Sequence, residues 1–114
     1  GTLSLSQCGK VCWMTVTREL LRSSGAEDEH TEGLVNYTRS IRGVQVGMLF
    51  REIEDGGFKI SFRSKNTVDV NRLAALFGGG GHPRAAGCVM QGQMDEIREK
   101  VVNAAILAAG GTNP

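Results

Sequence analysis

The sequence is poor in proline and lacks long apolar runs, and each shortage excludes a class of protein. Two prolines and no Gly-X-Y period exclude a collagen-like or proline-rich disordered chain, although 16 of the 114 residues are glycine. No apolar stretch reaches the ~18 residues of a membrane-spanning helix, and no signal peptide is recognisable. We therefore expect a cytoplasmic protein that makes no contact with a membrane.

The three cysteines do not form a recognisable metal motif or an even set for disulfides. Cys8 and Cys12 are spaced C-x3-C, and no histidine or second cysteine pair follows nearby, which excludes a zinc knuckle. We expect all three cysteines to be small buried residues in a reducing compartment.

Net charge is also nearly absent, at +1, but the charges are unevenly distributed. Residues 19–32 hold five acids and one base, whereas residues 57–94 hold five bases and one acid. This pattern predicts a folded domain with one basic face, since neither stretch is a run of like charges. The acidic stretch would repel phosphates, so we expect the binding surface to lie away from it, although Glu32 and Asn36 can help to shape a cleft.

Strand and helix patterns interleave along the chain and predict one α/β domain over residues 1–114. Strands are predicted at residues 2–6, 11–17, 44–53, 58–65 and 87–90, and helices begin after Thr17, Asp28, Asp69 and Met94. The expected architecture is a mixed β-sheet of about five strands with helices packed on its faces.

The run 58–65 alternates most clearly between apolar and polar residues. One predicted face carries Phe58, Ile60 and Phe62, and the other carries Lys59, Ser61, Arg63 and Lys65. One face therefore packs in a core, and the other is polar and positive.

The most informative segment is the glycine-rich run from Gly78 to Gly87. Four consecutive glycines cost stability, so something must require a backbone without side chains, such as a ligand that approaches closely or an anion bound by converging N–H groups. Pro83 fits the first position of a helical turn, which would expose the N–H groups of Arg84 and Ala85. The segment lacks the Gly-Lys-Ser/Thr of a P-loop and follows a helix, unlike a dinucleotide fingerprint.

The residues Gly79-Gly80-Gly81-His82, followed by Ala85-Ala86-Gly87, resemble the GGGHxxAAG signature of the DHH-associated type-1 domain. This is the C-terminal domain of DHH phosphoesterases. Upstream, residues 31–36, 50–52, 60–64 and 68–70 are similar in order to the oligoribonuclease and 3'-phosphoadenosine 5'-phosphate phosphatase branch. The resemblance extends from about Val11 to Val102.

The resemblance implies the substrate and the residues that bind it. In such enzymes a preceding DHH domain holds a manganese pair that activates a water, and the associated domain grips short RNA, 3'-phosphoadenosine 5'-phosphate or a cyclic dinucleotide. Carried over by position, the proposed contacts come from Gly79, Gly80 and Gly81 to the phosphate or base, His82 to a phosphate oxygen, Arg63 with Ser61 or Ser64 to a neighbouring phosphate, and Arg84 and Ala85 beside them.

The catalytic half of such an enzyme is absent from this sequence. Only His30 and His82 are present, and Asp28-Glu29-His30 is not a DHH triplet, whereas a two-metal centre needs several Asp and His ligands. We expect the chain to bind no metal and to hydrolyse nothing alone, even with manganese. Two other functions remain open: a freestanding nucleic-acid-binding module, like the related tRNA-binding domain of alanyl-tRNA synthetases, and a structural interaction domain.

Overall fold

Strands and helices alternate along residues 3–24 and 28–111, which are the residues that the computed structural model describes. The strands in these ranges are β1 Leu3–Leu5, β2 Val11–Val16, β3 Val46–Glu52, β4 Gly57–Ser64, β5 Gly80–His82 and β6 Ala85–Gln91. The α-helices are α1 Arg18–Ser24, α2 Asp28–Ser40, α3 Val70–Ala75 and α4 Met94–Ala108, and a 3₁₀ turn, Glu54–Gly56, joins β3 to β4. Thr2, where the first predicted strand begins, lies outside the described residues.

The strands form one mixed sheet in the order β1-β2-β3-β4-β6-β5. The strands β2 and β3 run parallel, and the other neighbouring pairs of this sheet are antiparallel. The predicted class, a mixed α/β sheet in one compact unit, is confirmed. The sixth strand is β5, which lies inside the glycine-rich segment where none was predicted, because glycine is depleted in strands.

The main core lies on the face of the sheet that α3 and α4 cover. The predicted alternation of β4 is confirmed, since Phe58, Ile60 and Phe62 are buried on this face. They pack with apolar residues of both helices, which include Val70, Leu73, Ala74, Ile97, Val101, Val102, Ala105 and Ile106. Burial on this scale is the main source of the free energy of folding.

Helix α3 is short, but its first turn is capped and joined to the β5–β6 hairpin. The Asp69 carboxylate accepts hydrogen bonds from the backbone N–H groups of Asn71 and Arg72, at 2.9 and 3.2 Å, as the sequence predicts. Val70 donates its N–H to the Pro83 carbonyl at 2.9 Å, and Gly81 donates its N–H to Asn71 Oδ1 at 2.9 Å. The helix therefore holds the glycine-rich segment in place.

The opposite face of the sheet is only partly covered. Helices α1 and α2 bury a smaller cluster there, centred on Val16, Val35 and Leu49. Helix α2 packs on β2 and β3 and reaches β4. These helices do not extend over β6, where Val89 on this face is 56% exposed. We call the part of this face formed by β4, β6 and β5 the open face.

The cysteines differ from one another in burial. Cys12 and Cys88 are buried, as predicted, and burial raises the pKa of the Cys88 thiol to about 11. The prediction is wrong for Cys8, which is exposed in the β1–β2 turn, where a hydrogen bond with the Ser6 hydroxyl lowers the pKa of its thiol.

Candidate functional site

Two rows of paired residues cross the open face from β4 to β5. In the first row, Arg63 pairs with Ala85, which pairs with His82. In the second row, Ser61 pairs with Gly87, which pairs with Gly80. Paired residues lie side by side on neighbouring strands about 4.8 Å apart, so the sheet brings these distant sequence positions together. The small residues of β6 leave a low floor between the side chains of Arg63 and His82.

Arg63 is held by two contacts. Its side chain is only 13% exposed, and its Nη1 donates to the Phe62 carbonyl at 3.0 Å. Its Nη2 forms an ion pair with Glu32 of α2, whose side chain is 58% exposed. Glu32, at the end of the acidic stretch, thus contacts the basic strand, in keeping with the expectation that it can help to shape a cleft. The pair is formed through packing of α2 over β4.

His82 lies at the end of β5, and residues 83 and 84 form a two-residue turn into β6. The predicted helical turn beginning at Pro83 is wrong, because Ala85 is already paired in the sheet. The His82 ring is exposed, and its Nδ1 accepts a hydrogen bond from the Arg84 N–H at 3.3 Å. An accepting Nδ1 places the proton of the neutral ring on Nε2, which can donate to an anion.

Most glycines of the signature have structural reasons to be glycine. Gly78 and Gly81 have positive φ angles of 82° and 148°. A Cβ at Gly79 would lie 2.1 Å from the Gly87 carbonyl oxygen. Gly80 differs, because the neighbour that its Cβ would approach is Asn71 Oδ1, at 3.2 Å. Among these four, Gly80 is the one that has neither a positive φ angle nor a backbone atom close to its Cβ position.

The two candidate serines lie on opposite sides of β4. Ser61 is half-buried on the open face, next to a pit of about 110 Å³ that is also lined by Glu32 and Arg51. Ser64 shares the core side with Phe62, and its Oγ is buried without a hydrogen-bond partner among the described residues. The structure therefore places the Ser64 hydroxyl on the opposite face of β4 from the Arg63 side chain, and its candidate role at the phosphate stays a prediction.

A larger cleft beside the first row was not predicted as a site. It has a volume of about 600 Å³ and is lined by Asn36, Arg39, Ser40, Ser64, Lys65 and Arg84. These residues come from α2, the end of β4 and the hairpin turn, which are far apart in sequence. Asn36, Ser64 and Arg84 were candidate residues in the sequence, but no pattern indicated that they meet in one cleft. We call it the basic cleft.

The described residues hold no set of side chains suited to a metal pair. Among them, no three His, Cys, Asp or Glu side chains gather at one place. The side chain of His30 lies outside the described part of the chain. The donor set therefore does not fit a two-metal centre. In the same ranges, no helix is long and apolar enough to cross a bilayer.

Comparison with known proteins identifies the family. A family model described as the DHHA1 domain matches residues 9–107. The chain belongs to the DHHA1 domain family. It is similar to the bifunctional oligoribonuclease and PAP phosphatase NrnA of Thermus thermophilus, with 35% identity over 92 residues, which are 80% of this chain and 28% of that protein. The predicted resemblance to this branch of the DHH family is confirmed.

Two solved structures are similar to this fold. An exopolyphosphatase-related protein from Bacteroides fragilis matches with a TM-score of 0.78 and 30% identity, over 96% of this chain and 31% of that one. The C-Ala domain of Aquifex aeolicus alanyl-tRNA synthetase matches with a TM-score of 0.63 and 11% identity, over 95% of this chain and 99% of that domain. The chain spans less than a third of the phosphoesterase relative and of the Bacteroides protein.

Proposed function

We propose that this chain is the substrate-binding domain of a DHH phosphoesterase acting on short oligoribonucleotides or 3'-phosphoadenosine 5'-phosphate. Cyclic dinucleotides, which contain phosphodiester bonds as oligoribonucleotides do, are a further substrate class. The Thermus relative carries the first two activities in its name. On the open face, His82 and Arg63 would hold substrate phosphate, and Gly80 would allow the nucleotide to approach the sheet.

The observation that carries this proposal is the first row of the open face. In this row Arg63 pairs with Ala85 and Ala85 pairs with His82, so the residues that carry the guanidinium and the imidazole flank one small residue. Both groups donate hydrogen bonds, and a guanidinium matches the geometry of phosphate oxygens. An exposed donor and a partly buried cation on a rigid sheet form a suitable grip for an anion.

Hydrolysis would require a second domain in the parent protein. By the resemblance, a DHH domain would hold the manganese ions, and this chain would position the phosphate opposite them. The residues described in this chain supply neither the metal ligands nor a nucleophile for that step. Their part in the reaction is to bind and orient the substrate.

Replacing His82 with alanine is expected to raise the Kd for 3'-phosphoadenosine 5'-phosphate about tenfold, because one charge-assisted hydrogen bond is lost. The ring is exposed, so the melting temperature should change little. Isothermal titration calorimetry measures the Kd, and NMR follows the amides of residues 80–86. Arg98→Ala, on α4, is the matched control. A much lower melting temperature together with unchanged affinity of the folded variant would assign His82 a purely structural role.

Replacing Glu32 with glutamine is expected to tighten nucleotide binding about threefold to tenfold, because it removes a negative charge beside the phosphate site. Arg63 keeps its bond to the Phe62 carbonyl, and the glutamine oxygen can still accept a hydrogen bond. The gain should shrink as salt is added. Weaker binding would mean that the carboxylate is needed to orient Arg63, and it would assign Glu32 a positioning role instead.

A second candidate is a nucleic-acid-binding module that acts without a catalytic partner. The C-Ala domain has the same fold over nearly its whole length, which favours this alternative. Tightly bound tRNA with no measurable affinity for small nucleotides would support it. A nucleotide-induced shift confined to residues 80–86 would support the phosphoesterase domain.

A further inference from the structure

The basic cleft lies beside the first row of the open face and continues it. Its floor is formed where β4 ends, since the Ser64 N–H donates to the Arg84 carbonyl at 3.0 Å. Its wall is the C-terminal half of α2, which supplies Asn36, Arg39 and Ser40. Arg84 directly follows the His82-Pro83 pair, so the cleft begins where the proposed phosphate grip ends. At about 600 Å³ it is within the range of small-molecule pockets.

The charges in the cleft are of one sign. Three cations, Arg39, Lys65 and Arg84, line it, and none of the described residues that line it is acidic. Arg39 Nη1 lies 3.4 Å from the Ser64 carbonyl, and Arg84 Nη1 lies 3.1 Å from the Val68 carbonyl. Carbonyls orient a guanidinium without neutralising it. Each arginine therefore keeps its full charge and further N–H donors for an anion.

This arrangement differs from that of other arginines in the described part of the chain. Arg18, Arg63 and Arg98 each have a carboxylate partner within 4.0 Å. Like charges gathered in one concave site repel one another and are stabilised when an anion enters. Electrostatics alone thus makes the basic cleft a stronger anion site than the single arginine of the open face.

We propose that the basic cleft binds the next phosphate of an oligonucleotide whose terminal nucleotide lies on the open face. Arg39 and Arg84 would bind the phosphate oxygens, with Lys65 adding charge and Asn36 donating to the sugar or phosphate. The inference rests on the proposed function, because it takes the open face as the terminal subsite. It makes the cleft the feature that distinguishes an oligonucleotide from a mononucleotide.

The test compares AMP with the 5'-phosphorylated trinucleotide pApApA on the double variant Arg39→Gln/Arg84→Gln. The Kd for pApApA should rise about tenfold or more, whereas the Kd for AMP should rise far less, because Arg84 is the cleft residue that adjoins the open face. The slope of log Kd for pApApA against log salt concentration should fall by about 0.7 for each phosphate that the variant no longer neutralises. The double variant Arg18→Gln/Arg98→Gln removes the same charge outside the cleft and should bind both ligands normally.

The outcomes separate the two proposals. If AMP shifts no amide of residues 80–82 and 85–86 in the wild-type protein, the open-face function fails. If pApApA then still shifts the amides of Ser64, Lys65 and Arg84, and the cleft variant abolishes that shift, the cleft remains an anion site. Equal affinity of the cleft variant and the wild type for pApApA would overturn the proposal that the basic cleft binds a phosphate. So would an equal loss of AMP affinity, or no binding of pApApA by the wild type.

Discussion

Replacing Gly79 with alanine is expected to lower the free energy of unfolding by about 3 kcal/mol, the upper end of the cost of overpacking a core. The new Cβ would lie 2.1 Å from the Gly87 carbonyl oxygen and 2.6 Å from Cys88 Cβ. The first of these is backbone of a paired strand, and it cannot move without disturbing β6. A fall of about 10 °C in melting temperature is expected for a domain of this size.

Gly80→Ala is the matched control for this prediction. It makes the same chemical change one residue later, and the close neighbour of its Cβ among the described residues is a side-chain atom, Asn71 Oδ1, at 3.2 Å. Its stability should stay within about 1 kcal/mol of the wild type, as for most substitutions that create no clash. Thermal unfolding followed by circular dichroism compares the two. Equal melting temperatures would show that β5 can separate from β6 at little cost.

The same pair of positions also separates folding from ligand binding. Gly80→Val should remain folded but bind 3'-phosphoadenosine 5'-phosphate weakly, because its side chain would occupy the approach to the second row. A folded Gly80→Val protein with unchanged affinity would contradict the placement of the nucleotide over Gly80.

Gly47→Ala is expected to have a comparably large effect, through a different part of the fold. Its Cβ would lie 2.1 Å from Thr38 Oγ1 and 2.6 Å from the Arg39 backbone nitrogen. Thr38 is fully buried, and its hydroxyl donates to the Val35 carbonyl at 2.6 Å. Helix α2 would have to move away from the sheet, at a cost of about 3 kcal/mol. That movement would also separate Glu32 from Arg63.

Gly33→Ala, on the same helix, is the control for Gly47→Ala. Gly33 lies inside α2, and a Cβ at this position would have open space around it, with no atom of a described residue beyond its own helix backbone within 4 Å. Alanine there should stabilise the helix by about 0.5–1 kcal/mol, because glycine loses more backbone entropy on folding. The denaturation midpoints of the two variants should therefore shift in opposite directions from the midpoint of the wild-type protein. A stable Gly47→Ala protein would show that α2 is held loosely over β3.

Local patterns in the sequence predicted much of the fold. The alternation from Phe58 to Arg63 correctly assigned the two faces of β4, and Asp69 correctly marked the start of α3. Both signals depend on a few neighbouring residues and not on contacts with the rest of the chain. The same alternation places Ser64 with Phe62 on the packed side, where the structure shows it buried.

The features that the sequence did not predict depend on contacts between distant segments. Strand β5 forms because Gly80 and His82 find partners on β6, which outweighs the low strand propensity of glycine. The ion pair between Glu32 and Arg63 joins residues 31 positions apart. The basic cleft requires the end of α2 to meet the hairpin turn. No local sequence pattern encodes these contacts. They form only when the strands have assembled in their order in the sheet.

The attachment of β5 to α3 has a consequence for motion. β5 is an outer strand of three residues, paired on one side with β6, and Asn71 of α3 accepts the Gly81 N–H. A strand held in this way can open locally without global unfolding. The rate of hydrogen exchange at the Gly81 amide should then report the fraying of α3. A bound nucleotide should slow this exchange strongly while it raises the melting temperature only a little. Asp69 touches no proposed ligand, but it caps α3. It would therefore influence the fraction of time for which β5 is ordered and able to bind the nucleotide.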